Sequence, residues 1–233
     1  MIIGSMVIKN EVDRYLEASL TRLIASCQKV FVADDGSDDG SAELAEKLGA
    51  KVWRNTGISF KENESVFRQA AWDQMAKMFK LKETDWILSL DADEYFIGNQ
   101  TKLKELLKIA QHRTCFSMPI PEVWEIEPLQ VRVDGFWRGN YNRRFAKYNP
   151  NLKFRDVPMG CGSVPSNGPS TELSMQLGIL HFGYANEDDR QVKHDFYKSL
   201  PAHGHNQGHI DSIITKPKLE HLDINVDFWK GIK

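Results

Sequence analysis

The chain has 233 residues, of which 41% are hydrophobic and 27% charged, and its formal net charge is −2. This length suits one domain whose core covers roughly 70% of the surface of the unfolded chain. The near-neutral charge lacks the basic excess of nucleic-acid-binding proteins, so we expect no nucleic-acid partner.

Targeting and redox signals point to a cytoplasmic protein. No apolar stretch approaches the ~20 residues that span a bilayer, so no membrane span is expected. The opening "MIIGSMVIKNEVDR" has neither the basic start nor the apolar run of a signal peptide. Cys27, Cys115 and Cys161 are far apart and odd in number, which favours reduced thiols.

The first hundred residues alternate between strand and helix patterns. Apolar runs predict strands at 5–9, 29–33, 50–55 and 86–90, and helical periodicity predicts helices at 11–26, 41–49 and 64–79. Ser41 is expected to cap the second helix, and Gly49 to end it. Val66 and Met78 are assigned to the packed side of the third helix. This alternation predicts a parallel sheet covered by helices on both faces, with ligands beyond the carboxyl ends of its strands.

The second half is less regular. A helix is predicted at 101–110, and extended segments at 115–126, 129–137 and 141–148. A long loop at 155–171, a late strand at 174–184 and a helix at 186–200 follow.

Two acidic clusters come directly after predicted strands. In "VFVADDGSDDGS" they are Asp34 and Asp35, and in "WILSLDADEYF" they are Asp91, Asp93 and Glu94. Asp and Gly also make good turns, so either cluster alone is ambiguous. Together, at the ends of strands in one sheet, the carboxylates would repel one another unless a cation or a raised pKa offset the charge.

Four motifs in this order resemble glycosyltransferase family 2. They are "VIKNEVDRYLEASL", "VFVADDGSDDGSAELAEKLGAKVW", "FRQAAWDQM" and "DWILSLDADEYF". The resemblance implies an α/β protein with the GT-A fold, a Rossmann-like, mostly parallel central sheet flanked by helices, and a more irregular acceptor side. It implies one domain over 1–233, with a nucleotide-sugar half (1–100), an acceptor half (101–200) and a tail (201–233).

The resemblance also implies a reaction. It is the metal-dependent, inverting transfer of a sugar from a nucleotide-sugar donor, with a UDP-sugar expected, to a hydroxyl on a saccharide, lipid carrier or protein. Mn²⁺ or Mg²⁺ would stabilise the charge that develops on the diphosphate leaving group. Such ions are typically held by one or two carboxylates and by substrate phosphates.

Residue roles follow from the same resemblance at the acidic clusters. Asp93 of the Asp-x-Asp motif would ligate the metal, and Asp91 would contact the ribose or reach the metal through water. Glu94 would lie behind them. The N3–H of uracil would be accepted by Asp35, with Asp34 as the alternative.

Donor-binding roles are implied for four further residues. Asn10 and Glu11 match the donor-binding edge of the family. Arg68 matches an arginine that contacts the nucleotide, although a solvated helix face also explains it. Lys193, which shares a helix face with Arg190 and Tyr197, would reach the pyrophosphate.

The histidines leave alternatives open. His181 is either a metal ligand or a strand-end core residue. The stretch "HGHNQGH" with His203, His205 and His209 is better explained as a mobile loop that closes over the donor than as a metal site.

The general base is the least determined role. An inverting transfer needs a carboxylate to deprotonate the acceptor, and the candidates are Glu122, Asp134 and Asp156, with Asp156 favoured. The nearby aromatic residues either stack on acceptor sugars or belong to the core; they are Trp124, Phe136, Trp137 and Tyr141.

Three other classes of protein deserve comparison. A sugar nucleotidyltransferase would carry a Gly-rich loop after the first strand, where this chain has "VIKNEV". A haloacid-dehalogenase-type phosphatase would carry Thr or Gly shortly after the second Asp, where this chain has "EYF". A carbohydrate-binding protein without turnover is distinguished by the absence of product.

Overall fold

The computed structural model describes residues 1–110, 112–165, 168–199 and 207–224. The helices are α1 (Leu16–Ser26), α2 (Ser41–Leu48), α3 (Glu64–Phe79), α4 (Gln100–Ile109), α5 (Glu187–Ser199) and α6 (Gln207–Ser212). The strands are β1 (Ile2–Ile8), β2 (Lys29–Asp34), β3 (Lys51–Arg54), β4 (Trp86–Asp91), β5 (Glu94–Phe96), β6 (Cys115–Pro119), β7 (Val123–Glu125), β8 (Gln130–Arg132), β9 (Tyr141–Lys147), β10 (Thr171–Glu172), β11 (Ile179–His181) and β12 (Leu219–His221).

A seven-stranded sheet in the order β10-β6-β9-β4-β1-β2-β3 forms the centre of the molecule. Its pairings are parallel except at β9, which runs antiparallel to both β4 and β6. Strands β5 and β11 form a two-stranded antiparallel ribbon, and β7, β8 and β12 form a third, small antiparallel sheet. The predicted mostly parallel α/β architecture is confirmed.

Helices cover both faces of the central sheet. On one face, Met6 of β1 packs in a cluster with Leu20 of α1 and Leu103 of α4. On the other face, Ile3 packs in a cluster with Phe67 of α3. Burial on both faces explains why the strands are continuous apolar runs rather than alternating ones.

Two local predictions near the first helix are wrong. Helix α1 begins at Leu16 rather than at residue 11, because the backbone N–H groups of Glu11 and Val12 donate to the side chains of Ser41 (2.7 Å) and Asp39 (3.0 Å). Ser41 is therefore not the N-cap of α2. That position belongs to Gly40 with φ 94°. The predicted stop at Gly49 is confirmed, since its φ of 102° is a conformation that glycine adopts without strain.

Other corrections concern exposure and the second half. Val66 and Met78 are 41% and 42% exposed, so they are not on the packed side of α3. The late strand is confined to Ile179–His181, and a 3₁₀ turn at Met175–Leu177 precedes it. Helix α6 and strand β12 in the tail were not predicted, because β12 exists only through its pairing with β8.

Two expectations from the sequence concern membrane-spanning helices and the cysteine thiols. Over the ranges described above, no helix has the length and apolar character needed to cross a membrane. Cys27, Cys115 and Cys161 are free thiols, and the first two are buried.

Candidate active site

Two adjoining cavities open at the carboxyl ends of the central strands, where the topology predicts a ligand site. The smaller cavity has a volume of about 380 Å³, and six of its lining residues have ionisable side chains. They are Lys9, Glu11, Asp35, Lys61, Asp91 and Asp93. The larger cavity, about 850 Å³, lies against β9 and the loop around Gly160. The two cavities share Phe60 and Asp91.

Asp35, rather than Asp34, reaches the smaller cavity. Asp34 is 2% exposed and its carboxylate accepts the N–H groups of Gly36 and Ser37, so it shapes the turn after β2. The Asp35 oxygens accept hydrogen bonds from Asn55 Nδ2 at 2.9 Å and from the Phe60 N–H at 3.0 Å. A carboxylate has about four acceptor positions, so Asp35 keeps capacity for one further donor from a ligand.

Asn10 and Glu11 have different positions at the end of β1. Asn10 adopts φ 54° and its side chain accepts the N–H of Asp38, so it holds the neighbouring loop and does not line the cavity. Glu11 does line the cavity, and Arg14 binds both of its oxygens at 3.0 Å. Burial raises the pKa of Glu11 to about 7, although Arg14 opposes the shift.

Asp91 is held by a buried arginine. Arg68, 5% exposed, donates through Nη2 to Asp91 Oδ1 at 3.0 Å and through Nε to Glu64 Oε1 at 2.8 Å. Burial would raise the pKa of Asp91, but Arg68 and Arg144 outweigh it and lower the pKa. Arg68 is therefore not part of a solvated helix face.

Glu94 lies behind Asp91, as expected for a supporting residue. Its Oε2 accepts the Asp91 N–H at 2.9 Å, and Arg144 Nη2 contacts its Oε1. Burial raises the pKa of Glu94 to about 7, against the opposing effect of Arg144. Repulsion among the acids of "DADE" is thus reduced in two ways. Guanidinium groups contact the carboxylates, and the raised pKa of Glu94 favours its neutral form.

Asp93 forms a second charged cluster with residues from the other half of the chain. Its Oδ2 lies 3.3 Å from His181 Nε2 and 3.1 Å from Lys193 Nζ. The other ring nitrogen of His181 contacts Glu122 Oε2. Burial would raise the pKa of Asp93, but Lys193 and His181 hold it well below the usual value. Burial would lower the pKa of His181, but Glu122 and Asp93 hold it well above the usual value.

Gly183 leaves the space in which these groups meet. A Cβ at position 183 would lie 1.9 Å from Lys193 Nζ, 2.6 Å from Asp93 Oδ2 and 2.7 Å from His181 Nε2. A side chain here would displace these charged atoms, first of all the flexible end of Lys193, so glycine leaves the cluster in its observed arrangement.

The donor chemistry of this cluster fits Mn²⁺ or Mg²⁺. A carboxylate oxygen and an imidazole nitrogen face the same space, and Lys193 places a positive charge against the same oxygen. Within the described ranges, no group of three or more His, Cys, Asp or Glu side chains is arranged to hold an ion. Phosphate oxygens would have to supply the remaining ligands, as is usual for these ions.

None of the three candidate bases lines either cavity. Asp156 is exposed, and Asp134 is paired with Arg132. Glu122, 7% exposed, faces His181 instead. Its position suits a carboxylate that orients an imidazole ligand.

The remaining sequence candidates are divided between core and surface. Trp124 and Trp137 are 3% and 2% exposed and belong to the core, whereas Tyr141 lines the larger cavity. Arg190 donates to backbone oxygens of Trp124 and Tyr184 and lines neither cavity.

Phe136 and the histidines of the tail have different surroundings. Phe136 is 49% exposed. His209 lies in α6 against the Trp137 ring, at 4.6 Å between ring centroids. His203 and His205 lie outside the described residues.

Sequence reasoning missed several residues of the two cavities. Lys9 and Lys61 line the smaller cavity, and Arg144 links Glu94 to the larger one. The adjacent basic pair in "YNRRFAKY" was a usable signal, since both of its arginines line the larger cavity. Gly183 had no signal beyond its position after His181.

Comparison with known proteins assigns the class. The model of the family described as "Glycosyl transferase family 2" matches residues 5–164, more than half of the chain. The chain belongs to this family. Its sheet and helices have the GT-A fold.

One of the solved structures compared below agrees in fold, and two are weaker matches. S. aureus TarS superposes with a TM-score of 0.50 at 15% identity, covering 91% of this chain and 42% of TarS. M. tuberculosis glucosyl-3-phosphoglycerate synthase, solved with Mn²⁺, UDP and glucosyl-3-phosphoglycerate, gives 0.36 at 14% identity, covering 52% and 43% of the two chains. A 4-diphosphocytidyl-2C-methyl-D-erythritol synthase gives 0.42 at 17%, covering 63% and 74%. We draw no functional conclusion from the last two.

The lengths differ. This chain spans less than half of TarS and of the M. tuberculosis synthase.

Proposed function

We propose that the chain transfers a sugar from a UDP-sugar to an acceptor hydroxyl, with inversion and with Mn²⁺ or Mg²⁺ at Asp93. The observation that carries the proposal is the convergence of Asp93 Oδ2 and His181 Nε2 beside a cavity that also contains Asp35. Asp35 and Asp93 both line this space of about 380 Å³, which supports binding of the base and of the ion beside each other.

The smaller cavity would bind the nucleotide. Asp35 would accept the N3–H of uracil with its remaining acceptor capacity, and Asn55 and the Phe60 N–H would fix the orientation of its carboxylate. Asp91, held by Arg68, would bind the ribose or a metal-bound water. Lys9 and Lys61 line the same cavity and would add positive charge to it.

Asp93 and His181 would hold the ion, whose chemistry is to stabilise the charge that develops on the leaving diphosphate. Glu122 would fix the ring of His181 from behind. Lys193 would exchange its contact with Asp93 for one with the diphosphate. Phosphate oxygens of the nucleotide would complete the coordination of the ion.

Calorimetry with UDP tests the proposal. We expect UDP to bind at least about tenfold more tightly with Mn²⁺ than with a chelator, a difference of ~1.4 kcal/mol. UDP affinity that does not depend on metal would contradict metal-dependent donor binding.

Product analysis then separates the classes of enzyme. Slow release of UDP from a UDP-sugar supports a glycosyltransferase. Formation of pyrophosphate from UTP and a sugar phosphate would instead indicate a nucleotidyltransferase. Tight UDP binding with neither product would indicate a binding protein.

His181 can be tested separately. The His181→Ala variant should lose at least about 10-fold in Mn²⁺ affinity, because mutating even the partners that orient such a ligand typically costs that much. Titrating Mn²⁺ into the UDP complex measures the change. His112→Ala, in an exposed turn, is the matched control. Equal Mn²⁺ affinity in the two variants would make His181 a structural residue.

A further inference from the structure

The larger cavity is left for the acceptor if the proposed function holds. In that function the nucleotide and diphosphate lie in the smaller cavity, and Asp91 and Phe60 form the boundary between the two spaces. The inference below rests on that assignment. Its subject is the chemistry of the acceptor, which neither the family nor the solved structures specify for this chain.

Arg144 lines the larger cavity with unsatisfied donors. It is 7% exposed, and Nη2 contacts Glu94 while Nη1 lies 3.5 Å from Asp91 Oδ2. Among the described residues, no acceptor makes a hydrogen bond to its Nε or Nη1. Both nitrogens are shielded from solvent, and a buried donor without an acceptor is destabilising, so an oxyanion that drew this guanidinium toward the cavity would reduce that penalty.

A second guanidinium lies on the same cavity. Arg155 is exposed and donates through Nη2 to the carbonyl of Gly160 at 2.6 Å. Within the described part of the chain, no carboxylate lies within ion-pair distance of it. A guanidinium has five N–H donors, so Arg155 retains several for a ligand. Ser117, Ser163 and Ser170 add hydroxyl groups to the lining.

The charge of the cavity favours an anion despite its carboxylates. Arg68, Arg143, Arg144 and Arg155 line it, against Glu64, Asp91 and Glu172. Glu64 and Asp91 are both bound by Arg68. Glu172 is exposed and would repel an anion placed beside it. The anion is therefore expected near Arg144 and Arg155, away from β10.

We propose that the larger cavity binds the acceptor through a phosphate or carboxylate group, held by the buried Arg144 and the exposed Arg155. Both groups present paired oxygens, which match the fork of a guanidinium. An oxyanion would give the exposed guanidinium of Arg155 a charged partner and a neutral sugar would not, while Arg144 already has Glu94 and Asp91 beside it.

Calorimetry with three small probes tests this. Glycerol 3-phosphate, glycerate and glycerol are titrated into the protein saturated with UDP and Mg²⁺, and into the protein without UDP. We expect at least one anion to bind about tenfold or more tightly than glycerol in both states. The tighter anion identifies which of the two groups the cavity prefers.

The Arg155→Gln variant, checked for folding by circular dichroism, should weaken anion binding at least about fivefold. Arg138→Gln, at an exposed arginine that lines neither cavity, is the matched control and should bind as the wild type does. Equal losses of anion affinity in both variants would show that only the net charge of the protein matters, which would overturn the proposal.

Two further results would overturn it. One is equal binding of glycerol and the anions. The other is anion binding that UDP abolishes, since Arg144 would then belong to the donor diphosphate. A failure of the proposed function looks different, because UDP itself would then not bind with metal while the anion titration without UDP remains measurable.

Discussion

Replacing Asp93 by asparagine should lower the rate of UDP release from a UDP-sugar at least about 10²-fold. Asparagine keeps the shape of the side chain and removes its charge, and a metal ion supplies several kcal/mol of transition-state stabilisation at such a site. A loss of ~2.7 kcal/mol already corresponds to a hundredfold rate. The metal-dependent part of UDP binding should disappear in the same variant.

The reason is electrostatic and specific to this position. Asp93 Oδ2 is the atom on which both His181 Nε2 and Lys193 Nζ converge. Without its charge, two positive or protonated groups remain beside each other, and an ion would find one fewer anionic ligand. His181 alone cannot compensate, because its other nitrogen is already bound to Glu122.

The control is Asp188→Asn in the first turn of α5, where the side chain is exposed. It makes the same chemical change without touching either cavity. If both variants kept full activity and full metal dependence, Asp93 would not be the metal ligand. A different positive group would then have to balance the charge of the leaving diphosphate, and the ammonium group of Lys193 already lies at this position.

The first half of the fold was predictable because its signals are local. Strands β1 to β4 are apolar runs, α2 and α3 are periodic, and the acids follow two strands directly. Parallel topology then carries those acids to one edge without further information. This reasoning expected Asp34 and Asp91 in one crevice, whereas Asp35 rather than Asp34 lines the cavity with Asp91 and Asp93.

The second half depends on contacts that a single sequence does not encode locally. Glu122 meets His181 through an isolated bridge, 59 positions along the chain, and β11 pairs with β5 just after the acidic motif. Short strands of this kind are held by their partners and not by propensity. The base candidates were therefore chosen from sequence position, and the structure brings none of them to a cavity.

Repulsion among the acids was the clearest physical question in the sequence, and it has a protein-based answer. Arg68 and Arg144 separate Asp91 from Glu94, while Lys193 and His181 surround Asp93. These ion pairs reduce the repulsion among the carboxylates. Sequence reasoning expected a cation or a raised pKa to offset the charge and did not foresee the arginines, because Arg68 and Arg144 come from other segments of the chain.

Arg68→Met should cost about 3–5 kcal/mol of folding free energy, the range for breaking a buried ion pair by removing one partner. Arg68 and Glu64 are 5% and 7% exposed at their side chains, so water cannot replace the lost hydrogen bonds. Asp91 also loses a partner, but its side chain is 32% exposed and Arg144 remains nearby. The loss should therefore fall near the lower end of the range.

The matched control is Arg54→Met. Arg54 also binds two glutamates, Glu43 and Glu46, but its side chain is 45% exposed. Solvent screens such pairs, so the same substitution should cost much less there. Urea unfolding of both variants, compared at equal slope, measures the difference. Equal losses would show that the Arg68 network contributes no more than a surface pair.

The Arg68 network has a second consequence, because Glu64 also anchors the loop beside the larger cavity. Glu64 Oε2 accepts the N–H groups of Gly160 and Cys161, and the Glu64 N–H donates to Pro158 at 2.8 Å. Removing Arg68 leaves a buried carboxylate that only these loop amides can satisfy. Because Arg68 Nε also fixes the Glu64 carboxylate, hydrogen exchange at the amides of residues 159–161 should increase in Arg68→Met and not in Arg54→Met.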